Sequence, residues 1–411
     1  MKRLHKKGKR KLRVFEAFAG YGSQSIALRN LGIPHEVVAI SEIDKYAIKA
    51  YYALHDKNIL NLGDISKIKV EDIPEHDLFT YSFPCQDLSV AGKQAGLGKR
   101  TRSGLLYECE KIIEHCRPKY LLLENVKNLV GKKFKPQFDE WLDYLESLGY
   151  TNYWKVLNAK DYGVPQNRGR VFVVSILGNH EPYEFPKAIP LDKCIADILE
   201  DEVDEKYYMN KPFRLVNKGH QAELDIKGNE CIRRVYGIDK IAPTLTTMGG
   251  GHREPKVLIE YKGKEKDNYV IEKTYRIRKL TPRECVRLMG MKDSDIDKIQ
   301  QAGISNTQQY KMAGNSIVID VLEAIFSNLF TTKQGGDTMK NIETTSKKNP
   351  IKTAGKTTQP KKPVDSKTKQ NPTCKGASAV TKQGHVGTVS MKSKKQPATK
   401  KIQTDGKSPI K

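Results

Sequence analysis

A single cysteine, Cys85, ends an apolar run in the segment "YSFPCQDLSVAGKQAGLG". The chain becomes polar immediately after this residue, which indicates a thiol presented at a strand end rather than one buried within an apolar segment. A nucleophilic thiol needs help to ionise and a neighbouring group that stabilises charge on its substrate. We therefore interpret Cys85 as a candidate nucleophile.

Three charged residues are candidate partners of this thiol. Glu124 follows the apolar run "YLLL", where loss of solvent would raise the pKa of its carboxyl group and let it carry a proton near neutral pH. Arg168 and Arg170 stand two apart in "QNRGR", at the start of a strand-like segment, so both side chains are predicted to point to one side. A surface salt bridge is the alternative interpretation of each arginine.

A glycine-containing turn and two carboxylates indicate a ligand site. Gly20 and Gly22, in "FAGYGSQS", let the backbone turn sharply at a helix N-terminus. A dinucleotide fingerprint requires a third glycine where this chain has Ser25, which disfavours a dinucleotide and leaves a nucleoside ligand open. Glu42 is placed to accept hydrogen bonds from a ribose, and Asp64 from an exocyclic amine. Either carboxylate could instead cap a helix or face solvent.

Alternating strands and helices must position these groups. The apolar segments "LRVFEAF", "EVVAISEID", "HDLFTYSF" and "KYLLLENV" alternate with amphipathic segments. This alternation predicts an α/β fold with a mostly parallel, doubly wound sheet covered on both faces. Ligands in such sheets bind at the carboxyl ends of the strands, and "FAGYG", "SFPCQ" and "LLLENV" all lie at predicted strand ends.

The bulk composition excludes several classes of protein. The 411 residues contain seven cysteines with no CxxC pair, which indicates a reduced, intracellular protein without a disulfide framework or a zinc site. The N-terminus is basic but has no following apolar region, and no apolar run is long enough to span a membrane. We therefore expect a cytoplasmic protein with no membrane partner and no metal.

The net charge of +24 is concentrated in a C-terminal tail. Residues 331–411 contain 19 lysines, no arginine and four acidic residues, a charge of +15 that leaves +9 for residues 1–330. This tail has no aromatic residue, so we expect it to be disordered. Its charge would attract a polyanion such as DNA without reading sequence; a solubility tail is the alternative.

The motifs together carry a family resemblance. In order, "FEAFAGYGS", "FPCQ", "ENV", "QNRGR" and "AGNSI" resemble the motif series of the DNA cytosine-5 methyltransferases, of the bacterial and phage type found in restriction-modification systems. The resemblance covers about residues 12–328. It implies a Rossmann-like catalytic and cofactor-binding domain at 12–178, a target-recognition domain at 179–275, a return to the catalytic domain at 276–330 and the tail at 331–411.

The resemblance also implies a mechanism. Cys85 would add to carbon-6 of a flipped-out cytosine in duplex DNA, and carbon-5 would then take the methyl group of S-adenosylmethionine. Glu124 would hold ring N3 and the exocyclic amine, Arg168 would bind the base carbonyl oxygen, and Arg170 would support the same shell. The cofactor-binding residues implied by the same matching are Phe18, Gly20, Gly22, Glu42, Ile43, Asp64, Ile65, Pro84, Leu105, Asn315 and Ser316.

DNA contacts are expected in two segments. The polar loop after Cys85 is rich in glycine and basic residues, as expected for a lid over DNA. The second segment is "TLTTMGGGHREP", where arginine is the usual reader of guanine. The candidate DNA-binding residues are Gln86, Ser89, Lys93, Arg100, Thr244, Leu245, His252 and Arg253.

Two other functions remain alternatives. An RNA-directed member of the same fold, modifying tRNA, is disfavoured by the sizeable recognition segment and by the lack of a Cys-Phe-Thr tripeptide. A catalytically silent DNA-binding scaffold is disfavoured by the complete set of Cys85, Glu124, Arg168 and Arg170. We expect a monomer that acts on double-stranded DNA in the nucleoid of a bacterial or phage-infected cell. Any cognate restriction endonuclease would be a functional rather than a physical partner.

Overall fold

The main sheet carries the site-bearing segments. The computed structural model describes residues 10–84, 102–261 and 274–331. Within these residues, seven strands form the main sheet: β1 (Leu12–Ala17), β2 (His35–Ser41), β3 (Leu60–Asn61), β4 (Leu78–Tyr81), β5 (Tyr120–Val126), β6 (Tyr150–Asn158) and β7 (Gly169–Leu177).

The strand order of this sheet is β3-β2-β1-β4-β5-β7-β6. Strands β1 to β5 are parallel, and β7 runs antiparallel to both β5 and β6. The direction of winding reverses between β1 and β4, and a crevice forms at the carboxyl ends of strands at such a point. The predicted α/β class with a mostly parallel sheet is confirmed.

Helices cover both faces of the sheet. The helices of the described residues are α1 (Ser23–Asn30), α2 (Lys45–Leu54), α3 (Leu106–Cys116), α4 (Lys135–Ser147), α5 (Glu230–Arg233), α6 (Pro282–Arg287), α7 (Asp293–Gln301), α8 (Asn306–Asn315) and α9 (Ile319–Phe330), of which α5 belongs to the segment of the second sheet described below. Along β5, Leu121 and Leu123 pack in the core that includes α3 and α4, while Leu122 packs in the core that includes α1 and α9. The run Leu121–Leu123 is therefore apolar without interruption, as expected where a strand is covered on both faces.

A second, smaller sheet lies between the main sheet and the last helices along the chain. Its strands are β8 (Phe213–Leu215), β9 (Ala222–Leu224), β10 (Arg234–Gly237), β11 (Lys256–Tyr261) and β12 (Thr274–Lys279), in the order β12-β11-β10-β9-β8. Ala222, Leu224, Val235, Leu258 and Ile277 form its core. The segment touches the main domain through a parallel bridge between Gln166 and Ala242.

The last helices return the chain to the main sheet. The stretch Asn306–Phe330 is long and apolar enough to cross a membrane by length and composition. Here it is divided into α8 and α9, and α9 packs against α1 with Leu322 and Phe326 fully buried. These contacts make the stretch part of the protein core.

Candidate active site

The turn after β1 has an unusual backbone. Phe18, Gly20 and Gly22 have φ values of +55°, +59° and +81°, which lie in the left-handed region that side chains disfavour. Gly22 also has no room for a side chain, because a Cβ there would lie 2.4 Å from Nε2 of His55. Two of these three residues are glycines, which adopt this conformation without strain. Phe18 adopts it at an energetic cost of the kind found at functional sites.

Two buried or partly buried carboxylates hold this turn. Glu16, the penultimate residue of β1, is fully buried and accepts hydrogen bonds from the backbone and hydroxyl of Ser25 and from the hydroxyl of Tyr51. Burial raises the pKa of the Glu16 carboxyl group. Glu42 accepts the Gly20 amide at 2.9 Å, so the end of β2 is fixed to the turn. A glutamate that directly follows the apolar residues Val14 and Phe15 of β1 is the sequence signal that could have identified Glu16.

A cavity of about 310 Å³ opens at the carboxyl ends of the central strands. Ten of the eleven predicted cofactor-binding residues line it, namely Phe18, Gly20, Glu42, Ile43, Asp64, Ile65, Pro84, Leu105, Asn315 and Ser316. Gly22 lies outside the lining, packed against His55 and Tyr51. Glu124, Arg168 and Arg170 line the same cavity, so the structure brings together the residues predicted to bind the cofactor and three of those predicted to act on the base.

The residues predicted to bind the cofactor include one large apolar residue that is exposed. The Ile43 side chain is 73% exposed although it is large and apolar. Asp64 caps the short 3-10 turn Ile65–Lys67 by accepting from the backbone and hydroxyl of Ser66, and these hydrogen bonds lower the pKa of its carboxyl group. Across the cavity, Lys311 of α8 pairs with Asp44. This pair joins the returning helix to the end of β2.

Glu124 and Arg170 form the charged pair of the site. Arg170 Nε lies 3.2 Å from Glu124 Oε1. The two residues lie on the adjacent strands β7 and β5, where Arg170 is paired with Val126 and Glu124 with Phe172. Burial raises the pKa of the Glu124 carboxyl group, and the positive charges of Arg170 and Arg168 partly offset that rise. The environment therefore favours a carboxyl group that can hold a proton closer to neutrality than an exposed glutamate can.

Arg168 has different partners from Arg170, although the spacing predicted a shared direction. Its terminal nitrogens donate to the carbonyl oxygens of Leu245 at 3.0 Å, Gly314 at 2.9 Å and Ser316 at 2.8 Å. Gln166, also buried, accepts the Leu245 amide at 3.1 Å and donates to the Leu288 carbonyl at 2.7 Å. These two side chains join the predicted recognition segment, residues 179–275, and the returning helices to the main sheet.

The segment before Cys85 is fixed by a residue missing from the predicted site. Asn125, next to Glu124 on β5, donates to the carbonyl oxygen of Phe83 at 3.1 Å. This hydrogen bond anchors the end of the "SFP" segment to β5. Cys85 itself lies outside the described residues, as do Gln86, Ser89, Lys93 and Arg100.

The four other predicted DNA-binding residues fall into two groups. His252 and Arg253 are exposed, and so is Thr244, whose hydroxyl donates to the Asn167 carbonyl at 2.5 Å. Leu245 is only 1% exposed, so its side chain packs in the interior, and its predicted role in DNA binding stays a prediction. Its amide and carbonyl are held by Gln166 and Arg168, which makes it a buried anchor of the recognition segment.

Solved structures share this fold. The S. pombe Dnmt2 methyltransferase matches with a TM-score of 0.56 and 20% identity, covering 78% of this chain and 98% of that chain. The Entamoeba histolytica methyltransferase EhMeth matches with a TM-score of 0.59 and 19% identity, with the same coverages. At these identities the likeness is one of fold.

Sequence relatives and a family model are more specific. Type II methyltransferase M2.ScrFI of Lactococcus lactis subsp. cremoris is 41% identical over 381 residues, covering 78% of this chain and 100% of the relative. Orphan methyltransferase M.SPBetaI of Bacillus phage SPbeta is 35% identical, covering 78% of this chain and 98% of the relative. The model for C-5 cytosine-specific DNA methylase matches residues 12–331. The chain belongs to the C-5 cytosine-specific DNA methylase family and is a DNA cytosine-5 methyltransferase, as its motif series predicted.

Proposed function

We propose that this enzyme methylates carbon-5 of a cytosine rotated out of duplex DNA, through a transient covalent bond between Cys85 and carbon-6 of the base. One observation carries the proposal. A single cavity has the glycine turn and Glu42 in one part of its wall and the Glu124–Arg170 pair in another. Pro84, which directly precedes Cys85, lines the same cavity.

S-adenosylmethionine fits the first part of this wall. The exposed Ile43 side chain offers an apolar surface for an adenine face, and the carboxylates of Glu42 and Asp64 offer acceptors for ribose hydroxyls and an amine. The open space beside Gly20, where an added Cβ would meet no atom within 4 Å, leaves room for a ligand close to the backbone. When bound, the cofactor supplies an electrophilic methyl group.

The protein's own residues prepare the base. The Cys85 thiolate would form a bond to carbon-6, and the electron pair of the C5–C6 double bond would become available at carbon-5. Carbon-5 would bond to the methyl group as the bond between that methyl group and the cofactor's sulfur breaks, with its electron pair left on the sulfur. Glu124 holds N3 and the exocyclic amine, and a protonated carboxyl group donates to N3 as charge moves into the ring. A base then removes the carbon-5 proton, and the S–C6 bond breaks with its electron pair returning to Cys85.

The two arginines have separate roles in this proposal. Arg170 places a positive charge beside Glu124, where it limits the rise in the pKa of that carboxyl group and keeps the group oriented. Arg168 is a positioning residue, because its guanidinium nitrogens donate to three backbone carbonyls from the recognition segment and the returning chain. It keeps the DNA-facing segment and the cofactor-facing segment at a fixed separation.

The DNA substrate must be deformed for this chemistry. A thiol in a pocket cannot reach carbon-6 of a stacked base, so the cytosine has to leave the helix at a cost of a few kcal/mol. We assign the closure over this extruded base to the loop after Cys85, with Gln86, Ser89, Lys93 and Arg100 as its DNA contacts. Thr244, His252 and Arg253 are assigned to recognition of the flanking sequence.

Transfer of a tritiated methyl group tests the substrate. The full-length protein is incubated with labelled S-adenosylmethionine and either duplex DNA or tRNA. We expect label in DNA as 5-methylcytosine, and bisulfite sequencing of DNA from an expressing host then maps the target. That DNA should resist an endonuclease that cuts the same site. Label in tRNA alone, or in neither nucleic acid, contradicts the proposal.

A trapping experiment tests the covalent step. Duplex oligonucleotides carrying 5-fluorocytosine at the mapped site cannot lose the carbon-5 substituent, so a covalent conjugate should persist. We expect mass spectrometry to place it on Cys85 and to find none in Cys85→Ser. Cys231→Ser is the matched control, because Cys231 is an exposed cysteine of the small sheet region. Conjugation that survives in Cys85→Ser would exclude this nucleophile.

A further inference from the structure

The recognition segment contains a loop with an unusual backbone. In the loop 248–255, Met248, Gly250, Gly251 and His252 have φ values of +48°, +86°, +66° and +59°. Two of these residues carry side chains, which the left-handed region disfavours. Residues 249–253 are all exposed, whereas Met248 and Pro255 at the two ends are buried. A strained, exposed loop of this kind keeps one shape only if something holds it.

A buried lysine lies at the base of this loop. Lys256, the first residue of β11, is only 2% exposed. Its Nζ donates to the carbonyl oxygens of His252 at 2.5 Å and Glu254 at 2.9 Å. The ammonium group therefore lies under the loop and binds the backbone at the residues that flank Arg253.

This placement is unfavourable for stability. Burial lowers the pKa of the Lys256 ammonium group to about 8, which is the sign of a cation that is poorly solvated. Lys279 occupies the position directly opposite on β12, so two like charges share one register pair. The nearby Glu254 carboxylate pairs with Lys279 at 3.0 Å. This buried cation lowers stability and binds the carbonyl oxygens of the loop. The simplest explanation for its presence is that it holds the conformation of the loop.

The loop also begins next to the catalytic cavity. A Cβ on Gly314, whose neighbours Asn315 and Ser316 line that cavity, would lie 2.1 Å from the Thr246 carbonyl oxygen, so the two backbones are in direct contact. Thr246 is only two residues before Met248. The position of the loop is therefore set on one side by the returning chain and on the other side by Lys256.

We propose that Lys256 is a positioning residue for sequence recognition: it fixes the carbonyls of His252 and Glu254 and so sets the direction in which His252 and Arg253 meet the bases beside the target cytosine. This inference rests on the proposed action on duplex DNA. It adds a residue that is itself too buried to touch DNA but that determines how tightly the enzyme discriminates between flanking sequences.

Lys256→Met tests this role in the full-length enzyme, because methionine keeps an unbranched apolar chain and removes the donor. Two quantities are measured. The first is the rate at which an arginine-specific endoproteinase cuts after Arg253, followed by intact mass. The second is kcat/KM on a duplex with the mapped site and on the same duplex with one flanking base pair changed. Lys227→Met, an exposed lysine of the same region, is the control.

We expect faster cutting after Arg253 in Lys256→Met and a fall of about tenfold in the ratio of the two kcat/KM values, as for the loss of one base contact. The fall should come mainly through KM for the mapped site, with S-adenosylmethionine affinity unchanged. Lys256→Arg, which keeps a cationic donor, should retain most of the discrimination, and Lys227→Met all of it.

Three results would overturn the role of Lys256. These are an unchanged cutting rate and ratio in Lys256→Met, equal losses in Lys256→Met and Lys256→Arg, or a parallel loss of cofactor affinity that marks general damage to the fold. The proteolysis measurement needs no methyl transfer. It therefore decides whether Lys256 holds the loop even if the wild-type enzyme fails to methylate DNA.

Discussion

Gly22→Ala is expected to destabilise the folded chain much more than the same change two residues earlier. An L-residue in the left-handed conformation of Gly22 costs about 1–2 kcal/mol. The new methyl group would also lie 2.4 Å from Nε2 of His55 and 2.7 Å from the ring of Tyr51, and crowding of this kind costs about 1–3 kcal/mol. The expected loss in free energy of unfolding is roughly 2–5 kcal/mol.

Gly20→Ala is the matched control. Gly20 also has a positive φ, +59°, but a Cβ there would meet no atom within 4 Å. Its stability cost should therefore be limited to the conformational part, about 1–2 kcal/mol. Because Gly20 lines the cavity, its added methyl group narrows the space for the cofactor. Gly20→Ala should thus weaken S-adenosylmethionine binding more than it weakens the fold.

Urea unfolding of the full-length protein, followed by the fluorescence of Trp141 and Trp154, measures the stabilities, and calorimetry measures cofactor affinity. The double variant Gly22→Ala with His55→Ala removes the closest contact, so the cycle should show a favourable coupling of at least about 0.5 kcal/mol. Equal losses for the two glycine variants, or a coupling of zero, would refute the argument from the contact with His55.

Three further predictions concern the same site. Burial lowers the pKa of His55 to about 4, below the value of about 6.5 in the unfolded chain. The stability that neutral His55 contributes is therefore complete above pH 6.5 and is lost as the pH falls toward 4, up to about 3 kcal/mol. Urea titrations at pH 7 and 5 should show a larger loss of stability in the wild type than in His55→Gln, which keeps only the smaller dependence from other buried histidines such as His35 and His76. Glu124→Gln should lower kcat on DNA by about 10²–10³ with unchanged cofactor affinity, measured by single-turnover methyl transfer; a kcat within twofold of wild type would exclude its proposed role. Gly314→Ala, whose Cβ would lie 2.1 Å from the Thr246 carbonyl oxygen, should cost about 1–3 kcal/mol or more, whereas Gly249→Ala, which meets nothing within 4 Å, should be neutral in the same unfolding assay.

Local patterns predicted the strands β1, β4 and β5 of the main sheet because these strands are buried on both faces. The partly exposed strand β6 was not predicted. An uninterrupted apolar run such as Leu121–Leu123 in β5 is stable only where both faces of the strand are buried. The carboxyl ends of parallel strands lie at one edge of the sheet. Glu42, Asp64 and Glu124 follow such runs, so their presence at a common cavity was predictable from the order of the motifs. The residue types within the motifs also indicated which reaction the cavity can support.

The partners of individual side chains were not predictable in this way. Arg168 and Arg170 have the same type and almost the same position, yet one binds three carbonyls and the other pairs with Glu124. Two of those three carbonyls belong to residues about 150 positions away, and no local pattern specifies such contacts. The same holds for Leu245, whose burial depends on packing between distant segments.

The sequence by itself determined the family, the α/β fold and the residues that meet at the cavity, because hydrophobic periodicity and the motif types act locally along the chain. Only the tertiary structure decided which charged groups are buried and what they bind. Arg168 was predicted as a site residue, but its partners were not. Glu16, Arg168 and Lys256 are buried only because the chain folds around them, and their roles follow from the hydrogen-bond partners that the fold brings within reach.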